Sequence, residues 1–259
     1  MRVALTIAGS DPSGGAGIQA DLKTFHQFGV YGEAVITLLT VQNTRRVDRV
    51  EFVPCELVLE QLNAVLEDIP PHAAKSGALG SAEVVRALAR AAAGFRFPLV
   101  VDPILMSKHG QPLTAGEAVD AIRAELLPHA ALVTPNVPEA EALSGIAISG
   151  PEELRRAAER IREQGARAVL IKGGHREGPA TDVLLDGVEW REFPAPRLEA
   201  RHTHGTGCTY SAAITAGLAR GCALADAIAR AKQFIHEAIR TAPGLGHGCG
   251  PLNHHAGSA

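Results

Sequence analysis

The stretch RVALTIAGSDPSGGAGIQADLKTF, residues 2–25, decides the fold because its hydrophobic period changes within a few residues. Arg2 to Ile7 is a short apolar run rich in β-branched residues, which predicts a buried strand. The segment after the glycines carries Ile18, Leu22 and Phe25 at spacings of four and three, which is one face of a helix. The chain therefore opens as a strand, a glycine-rich loop and a helix.

The same alternation of strands and helices continues along the chain. Further strands are predicted at residues 34–40, 99–101, 131–133 and 168–171. Helices are predicted at residues 55–67, 81–93, 150–164, 207–219 and 223–241. Residues 181–185 and 188–193 flank Asp186-Gly187, which predicts an antiparallel hairpin at the edge of the sheet. The pattern indicates an α/β fold with a mostly parallel central sheet.

Length and composition favour one compact domain over residues 1–259. The chain has 46% hydrophobic and 20% charged residues, and we find no linker-like break in composition. Its 25 basic and 28 acidic residues give a net charge of −3 and are scattered, so we do not expect a nucleic-acid partner. With no signal-peptide core and no apolar run of roughly 18 residues, we expect no membrane association and a cytoplasmic location.

The cysteines and histidines do not predict a zinc site. Cys55, Cys208, Cys222 and Cys249 are far apart and form no C-x-x-C pair, which favours free thiols in a reducing compartment. The 11 histidines lack the H-E-x-x-H and finger spacings. We therefore interpret them as surface or supporting residues.

Polar side chains follow three of the predicted strands. Asp102 follows 99–101, Asn136 and Glu139 follow 131–133, and Lys172 begins a Lys-Gly-Gly run after 168–171. Ligands of open α/β sheets bind beyond the carboxyl ends of the strands. Carboxylates for Mg²⁺ and a lysine for phosphates are what phosphoryl transfer requires.

Each of these residues also has a purely structural interpretation. Asp102 would cap a turn before Pro103, Glu139 would be the first-turn acid of a helix beginning near Pro138, and Lys172 would be a solvated lysine.

The segment from His204 to Thr209, HGTGCT, is the sharpest local feature. Gly205, Thr206 and Gly207 precede an apolar helix, and successive amides at a helix N-terminus form a site for developing negative charge. Cys208 lies in the same first turn, where the helix terminus is expected to lower its pKa. The alternative is a structural turn with an inert cysteine. The segment is not a Walker A loop, because G-x-x-x-x-G-K-[ST] is absent.

Seven motifs, in this order along the chain, resemble those of the hydroxymethylpyrimidine/phosphomethylpyrimidine kinase family of thiamin biosynthesis. They are Gly9 to Asp21, Val41 to Thr44, Val101 to Pro103, Thr134 to Glu141, Ile171 to His175, His204 to Thr209 and Gly246 to His254. The resemblance implies the ribokinase-like fold, a three-layer α/β/α domain, and a homodimer. It also implies phosphorylation of 4-amino-5-hydroxymethyl-2-methylpyrimidine and then of its monophosphate, with ATP and Mg²⁺. A requirement for a monovalent cation stays open.

The resemblance also assigns roles to the substrate-binding positions. Gln42 matches the glutamine that binds the pyrimidine, and a carboxamide can both donate to a ring nitrogen and accept from the exocyclic amine. Asp21 is expected near the substrate. The structural alternatives are an ordinary loop residue for Gln42 and a solvent-facing helix position for Asp21.

The catalytic and nucleotide positions follow in the same way. Cys208 matches the base that takes the hydroxyl proton, and the amides of Gly205, Thr206 and Gly207 match the anion hole. Asp102 and Glu139 match the family's carboxylates at the end of the site that binds Mg²⁺ and the phosphates. Lys172 and Asn136 are expected to bind ATP.

One motif departs from the family pattern. Ala78 stands where the family usually has a methionine that packs near the substrate ring, and this change enlarges the predicted pocket. The departure keeps open a pyridoxine or pyridoxal kinase, whose substrates also carry a hydroxymethyl group. A third hypothesis is a pyrimidine-binding protein without catalysis, although every candidate catalytic position carries a competent residue type.

Overall fold

A nine-stranded sheet forms the centre of the molecule in a computed structural model that describes residues 1–106, 110, 116–175 and 178–257. The strands are β1 (Val3–Ser10), β2 (Tyr31–Gln42), β3 (Val47–Phe52), β4 (Ala73–Ser76), β5 (Leu99–Val101), β6 (Leu132–Val133), β7 (Ala168–Ile171), β8 (Asp182–Asp186) and β9 (Glu189–Phe193). Their order is β3-β2-β1-β4-β5-β6-β7-β8-β9. The six strands from β2 to β7 in this order are parallel, and β3, β8 and β9 are antiparallel to their neighbours.

Helices cover both faces of the sheet. They are α1 (Gly17–Gln27), α2 (Cys55–Asp68), α3 (Ala82–Ala92), α4 (Gly116–Ala121), α5 (Val137–Ser144), α6 (Pro151–Glu163), α7 (Thr206–Ala219) and α8 (Leu224–Arg240). Alternate residues of a strand point to opposite faces, so Ala4 of β1 packs with α1, α7 and α8, whereas Leu5 and Ile7 pack with α2 to α6. The expected α/β/α layers are therefore present.

Some elements differ from the sequence expectation. β3 was not predicted, because it is an edge strand with charged, exposed residues and only one paired side. β4 was not predicted, because the polar residues Lys75 and Ser76 occupy half of this buried four-residue strand. The hairpin turn consists of Gly187 and Val188, one residue later than expected, since Asp186 still pairs with Glu189. Gly187 has φ +60°, which suits the first central position of a tight hairpin turn.

The glycine-rich loop of residues 11–17 lies against the start of α7. Gly205 precedes α7 with φ +80°, and a Cβ there would collide with the carbonyl of Gly15. Only glycine fits this close approach of two backbones. The approach places the first turn of α7 beside the carboxyl end of β1. No helix within the described ranges is long and apolar enough to cross a membrane.

Candidate active site

A cavity of about 920 Å³ runs along the carboxyl ends of the parallel strands. Ser10, Asp11 and Gln42, from the β1 and β2 end of the sheet, line one side of it. The other side is lined by residues that follow β6 and β7 and by the start of β8. Asp102 and the first turn of α7 lie between them. The cavity therefore extends across the carboxyl ends of several strands.

Lys172 and two carboxylates form a charged cluster in the middle of the cavity. The Nζ atom of Lys172 lies 3.0 Å from Oδ1 of Asp102 and 3.9 Å from Oε2 of Glu139. Asp102 also accepts hydrogen bonds from the hydroxyls of Thr134 at 3.1 Å and Ser211 at 3.0 Å. The sequence prediction that the groups following β5, β6 and β7 meet is therefore confirmed, although their roles stay predictions.

The cluster shifts the ionisation of its own members. Burial is the largest influence on Asp102 and opposes its charge, but the ammonium groups of Lys172 and Lys75 and the hydrogen bond from Ser211 together outweigh it and hold the pKa of Asp102 below its usual range. Burial raises the pKa of Glu139 to about 7, against the attraction of Lys172. Two carboxylates beside one ammonium thus differ in charge near neutral pH, since Asp102 is the more strongly ionised.

Asn136 and Glu139 also have the structural role that the sequence allowed. Asn136 caps α5 by accepting a hydrogen bond from the Glu139 backbone N–H at 2.9 Å, and Glu139 accepts one from the Asn136 backbone N–H at 2.8 Å. This is a capping box, which fixes the first turn of α5. Both residues still line the cavity. The cap therefore orients Glu139 toward Lys172 and leaves Oε1 without a bond in the capping box.

Cys208 lies in the first turn of α7 and lines the cavity, as the sequence predicted. The expectation of a lowered pKa was wrong. Burial raises the pKa of the Cys208 thiol to about 12, because loss of water outweighs the attraction of the Lys75 ammonium. The carboxylates of Asp21 and Asp102 raise it further. The resting form of this residue is the thiol.

Gln42 contacts a buried His–Asp pair at the other end of the cavity. Its side-chain amide lies 3.1 Å from Nε2 of His204, which lies 2.7 Å from Oδ2 of Asp11. Hydrogen bonds from His204 and Ser13 overcome burial and hold the pKa of Asp11 below its usual range. Asp11 and His204 each lie within one of the motifs described above, but no role was predicted for either residue. The Asp-x-Ser turn was the available signal, since Asp11 accepts from the backbone N–H of Ser13.

Asp21 does not line the cavity. It is fully buried under the first turn of α7, where it bonds Nζ of Lys75 at 2.8 Å and the hydroxyl of Thr6 at 2.6 Å. Burial raises the pKa of Asp21, and Lys75 opposes this shift. The structure therefore places Asp21 beneath the cavity floor and not in its lining, because α1 turns this residue toward the sheet.

A second ion pair lines the far end of the cavity and was missed from the sequence. Nζ of Lys232 lies 2.7 Å from Oδ2 of Asp182, and Oδ1 of Asp182 accepts the backbone N–H of Gly173 at 2.8 Å. This pair therefore fixes the loop that follows Lys172. Lys232 is 50 residues from Asp182, so no local pattern reveals the pairing.

The comparisons with known proteins agree with this geometry. A family model described as phosphomethylpyrimidine kinase matches residues 11–253. The thiamine biosynthesis bifunctional protein ThiED of Geobacter sulfurreducens is 50% identical over 252 residues, which cover 96% of this chain and 51% of that protein. This chain thus spans about half the length of that relative. The hydroxymethylpyrimidine/phosphomethylpyrimidine kinase of Rhizobium meliloti is 50% identical over 256 residues, covering 97% of this chain and 96% of that one.

A solved structure matches at the level of the fold. The pyridoxal kinase from Staphylococcus aureus, in complex with AMP-PCP and pyridoxal, superposes with a TM-score of 0.90 at 34% identity. The match covers 99% of this chain and 94% of that chain. The ribokinase-like α/β/α fold expected from the sequence is confirmed.

Proposed function

This chain belongs to the phosphomethylpyrimidine kinase family, and on that premise we propose that residues 1–259 act as one kinase domain on a pyrimidine alcohol. The reaction transfers the γ-phosphoryl group of ATP to 4-amino-5-hydroxymethyl-2-methylpyrimidine and then to the resulting monophosphate. The observation that carries the proposal is the convergence of Lys172, Asp102 and the first turn of α7 in one cavity. Gln42 lies on the side of that cavity formed by β1 and β2.

The triphosphate fits beside Lys172. This side chain is 14% exposed, so its ammonium can contact a ligand that enters the cavity. Gly205, Gly207 and Cys208 at the start of α7 line the same space, and backbone amides at a helix N-terminus stabilise negative charge without reorganisation. In a loose transition state the charge is spread over the phosphoryl oxygens, so these fixed donors supply most of the catalysis.

A magnesium ion fits the same cluster. Within the described residues no group of three or more potential metal-binding side chains occurs, but Mg²⁺ typically takes one or two carboxylates and completes its shell with water and phosphate. Asp102 and Glu139 would hold the ion, which when bound would neutralise negative charge on the phosphates. Lys172, which lies between the two carboxylates, then pairs with phosphate oxygens instead.

The acceptor fits the Gln42 side of the cavity. The amide of Gln42 has both a donor and an acceptor, which matches a ring nitrogen next to an exocyclic amine. Its side-chain nitrogen lies 3.1 Å from Nε2 of His204. Apolar residues, Leu38, Ala78 and Met106 among them, line the cavity and suit an aromatic ring.

Cys208 takes the proton of the attacking hydroxyl in this proposal. The O–H bond breaks as the hydroxyl oxygen bonds to the γ-phosphorus, and the proton moves to the sulfur of the thiolate form. The bond between the γ-phosphorus and the β,γ-bridging oxygen breaks in the same step, and ADP leaves. Because the pKa of Cys208 is raised to about 12, only a small fraction of molecules holds the thiolate near neutral pH. A phosphate oxygen of the monophosphate is already ionised, so the second transfer does not need this base.

The pyridoxal kinase alternative has less support. The curated kinase of Rhizobium meliloti is 50% identical, whereas the pyridoxal kinase of Staphylococcus aureus is 34% identical. The feature in favour of the alternative is the small side chain of Ala78 in the cavity wall.

We also propose a cytoplasmic location and a homodimer. Four free cysteines fit the reducing cytoplasm, where ATP is available. A homodimer through the β2–β3 edge is expected, because Leu39, Val41 and Phe52 are about half exposed there. Light scattering of the purified protein and of Val41→Asp tests the assembly, and a wild-type monomer contradicts it.

Phosphorus NMR of one reaction tests the function itself. The purified protein, MgATP and the pyrimidine alcohol are expected to give a monophosphate ester signal, which then gives way to two coupled diphosphate signals. Unchanged ATP with the alcohol present would refute the proposal.

A further inference from the structure

Lys75 is a charged residue in an unusual position, at the centre of the sheet. It lies on β4 between β1 and β5, and its side chain is fully buried. Thr6 of β1 is its cross-strand partner, so both side chains point to the face covered by α1 and α7. A buried lysine loses its hydration, and this loss is tolerated only with good partners.

The partners of Lys75 belong to the glycine-loop helix and to the transfer site. Its Nζ atom lies 2.8 Å from Oδ1 of Asp21 on α1 and 3.5 Å from the backbone carbonyl of Cys208 on α7. Thr6 donates to the other Asp21 oxygen at 2.6 Å. The ammonium thus joins the sheet, α1 and the first turn of α7 directly beneath the cavity.

We infer that Lys75 is a positioning residue for phosphoryl transfer, which holds the first turn of α7 and keeps the Cys208 sulfur facing the cavity. The inference rests on the proposed function, in which Cys208 receives the hydroxyl proton. Lys75 does not line the cavity, so it acts through Cys208 and not by touching substrate.

Charged groups from four elements act on Cys208, and they differ in sign. Lys75 on β4 favours the thiolate, and Asp21 on α1 opposes it. Asp102 after β5 also opposes the thiolate, and Lys172 after β7 interacts with the same sulfur. Lys75 and Asp21 form one ion pair, yet their charges act on the thiol in opposite directions.

This opposition gives a test that a merely structural role would not pass. Lys75→Met and Asp21→Asn each break the same ion pair. We expect alkylation of Cys208 by iodoacetamide to slow about tenfold in Lys75→Met and to quicken about tenfold in Asp21→Asn, which corresponds to one pKa unit in each direction. Mass spectrometry of the Cys208 peptide gives the rate, and Cys55, Cys222 and Cys249 serve as internal controls. Changes in the same direction would overturn the inference.

A double variant separates positioning from stability. Lys75→Met with Asp21→Asn leaves no unpaired charge inside the protein, so it is expected to fold even where a single variant does not. We expect its kcat for the pyrimidine alcohol to stay about tenfold below wild type, with KM for ATP within about threefold, because the contact to the Cys208 carbonyl is gone. Wild-type kcat together with wild-type melting temperature would overturn the inference.

Failure of the inference about Lys75 can be distinguished from failure of the proposed function. Alkylation needs no substrate, so it tests the coupling of Lys75 to Cys208 even if the protein phosphorylates no pyrimidine. Absence of pyrimidine phosphorylation by the wild-type protein would refute the proposed function, whereas same-direction alkylation would refute the role of Lys75.

Discussion

Two lysine–aspartate pairs, one beneath the cavity floor and one in the cavity, differ in their access to it. Lys75 and Asp21 are both 0% exposed, whereas Lys172 is 14% exposed beside the 1% exposed Asp102. The N–O distances are 2.8 and 3.0 Å, so the pairs are alike in geometry. Lys75 and Asp21, the closed pair, have partners only within the protein. In the proposed reaction Lys172 of the open pair, Lys172 and Asp102, exchanges its carboxylate partner for a phosphate. Access to the cavity, and not pairing itself, therefore distinguishes Lys172 from Lys75.

The largest effect is expected at Cys208, which interacts with both lysines. Cys208→Ala removes the proposed proton acceptor, and kcat of the first phosphorylation is expected to fall about 10²–10⁴-fold. The second phosphorylation is expected to fall much less, because its acceptor oxygen carries no proton to remove. Single-turnover measurements with each acceptor give the two rates. Equal losses in both steps would contradict the assignment.

The open pair is tested by Lys172→Met. Loss of its ammonium removes a phosphate contact, so we expect kcat/KM for ATP to fall about 10²–10³-fold. The matched control is the double variant that combines Lys75→Met and Asp21→Asn, for which KM for ATP is expected to stay near the wild-type value. Steady-state kinetics with varied ATP compare the two. If both variants raised KM for ATP equally, the distinction between open and closed pairs would fail.

The pH dependence sharpens the same comparison. The thiolate fraction of an acid with a pKa of about 12 rises about tenfold for each pH unit below that value. We therefore expect the rate of the first phosphorylation to rise steeply between pH 7 and pH 9, and that of the second to change little. Single-turnover rates in overlapping buffers measure both profiles. A flat profile for the first step would exclude a thiolate base.

The smallest effect is expected at Glu33, a buried carboxylate that forms no ion pair with a lysine in the part of the chain that the structure describes. Its Oε2 has no hydrogen-bond partner among the described residues, and burial raises its pKa to about 7, with a contribution from Asp68. The folded state therefore holds a proton that the unfolded state loses above pH 4.5, so stability falls as pH rises from there to 7.

Glu33→Gln removes this loss of folding stability at high pH, because glutamine does not ionise. We expect its melting temperature at pH 8 to exceed wild type by about 2–4 °C, and the difference to close as the pH falls toward 4.5. Thermal unfolding across this pH range is the measurement. A lower melting temperature for Glu33→Gln at pH 8 would show that the ionised carboxylate is stabilised.

Much of the fold and part of the site were predictable because their signals are local. The change of period in residues 2–25 predicts the first strand and helix, which the structure has at Val3–Ser10 and Gly17–Gln27. Asp102 and Lys172 each follow a recognisable apolar run, and parallel strands bring their carboxyl ends together. These features require no knowledge of which residues meet across the molecule.

The remaining features depend on distant contacts. Lys75 and Asp21 are 54 residues apart, and His204 and Asp11 are 193 apart. Their pairing follows from strand register and helix packing, which no local pattern encodes. The raised pKa of Cys208 has the same origin, because the helix terminus is visible in the sequence and the burial that outweighs it is not.

The central claim is tested most directly by offering four acceptors to the purified protein with MgATP. These are the hydroxymethylpyrimidine, its monophosphate, pyridoxine and pyridoxal, with products resolved by mass and kcat/KM compared. We expect pyrimidine diphosphate from both pyrimidines and much lower kcat/KM for both pyridines. Pyridoxal phosphate as the dominant product would contradict this expectation.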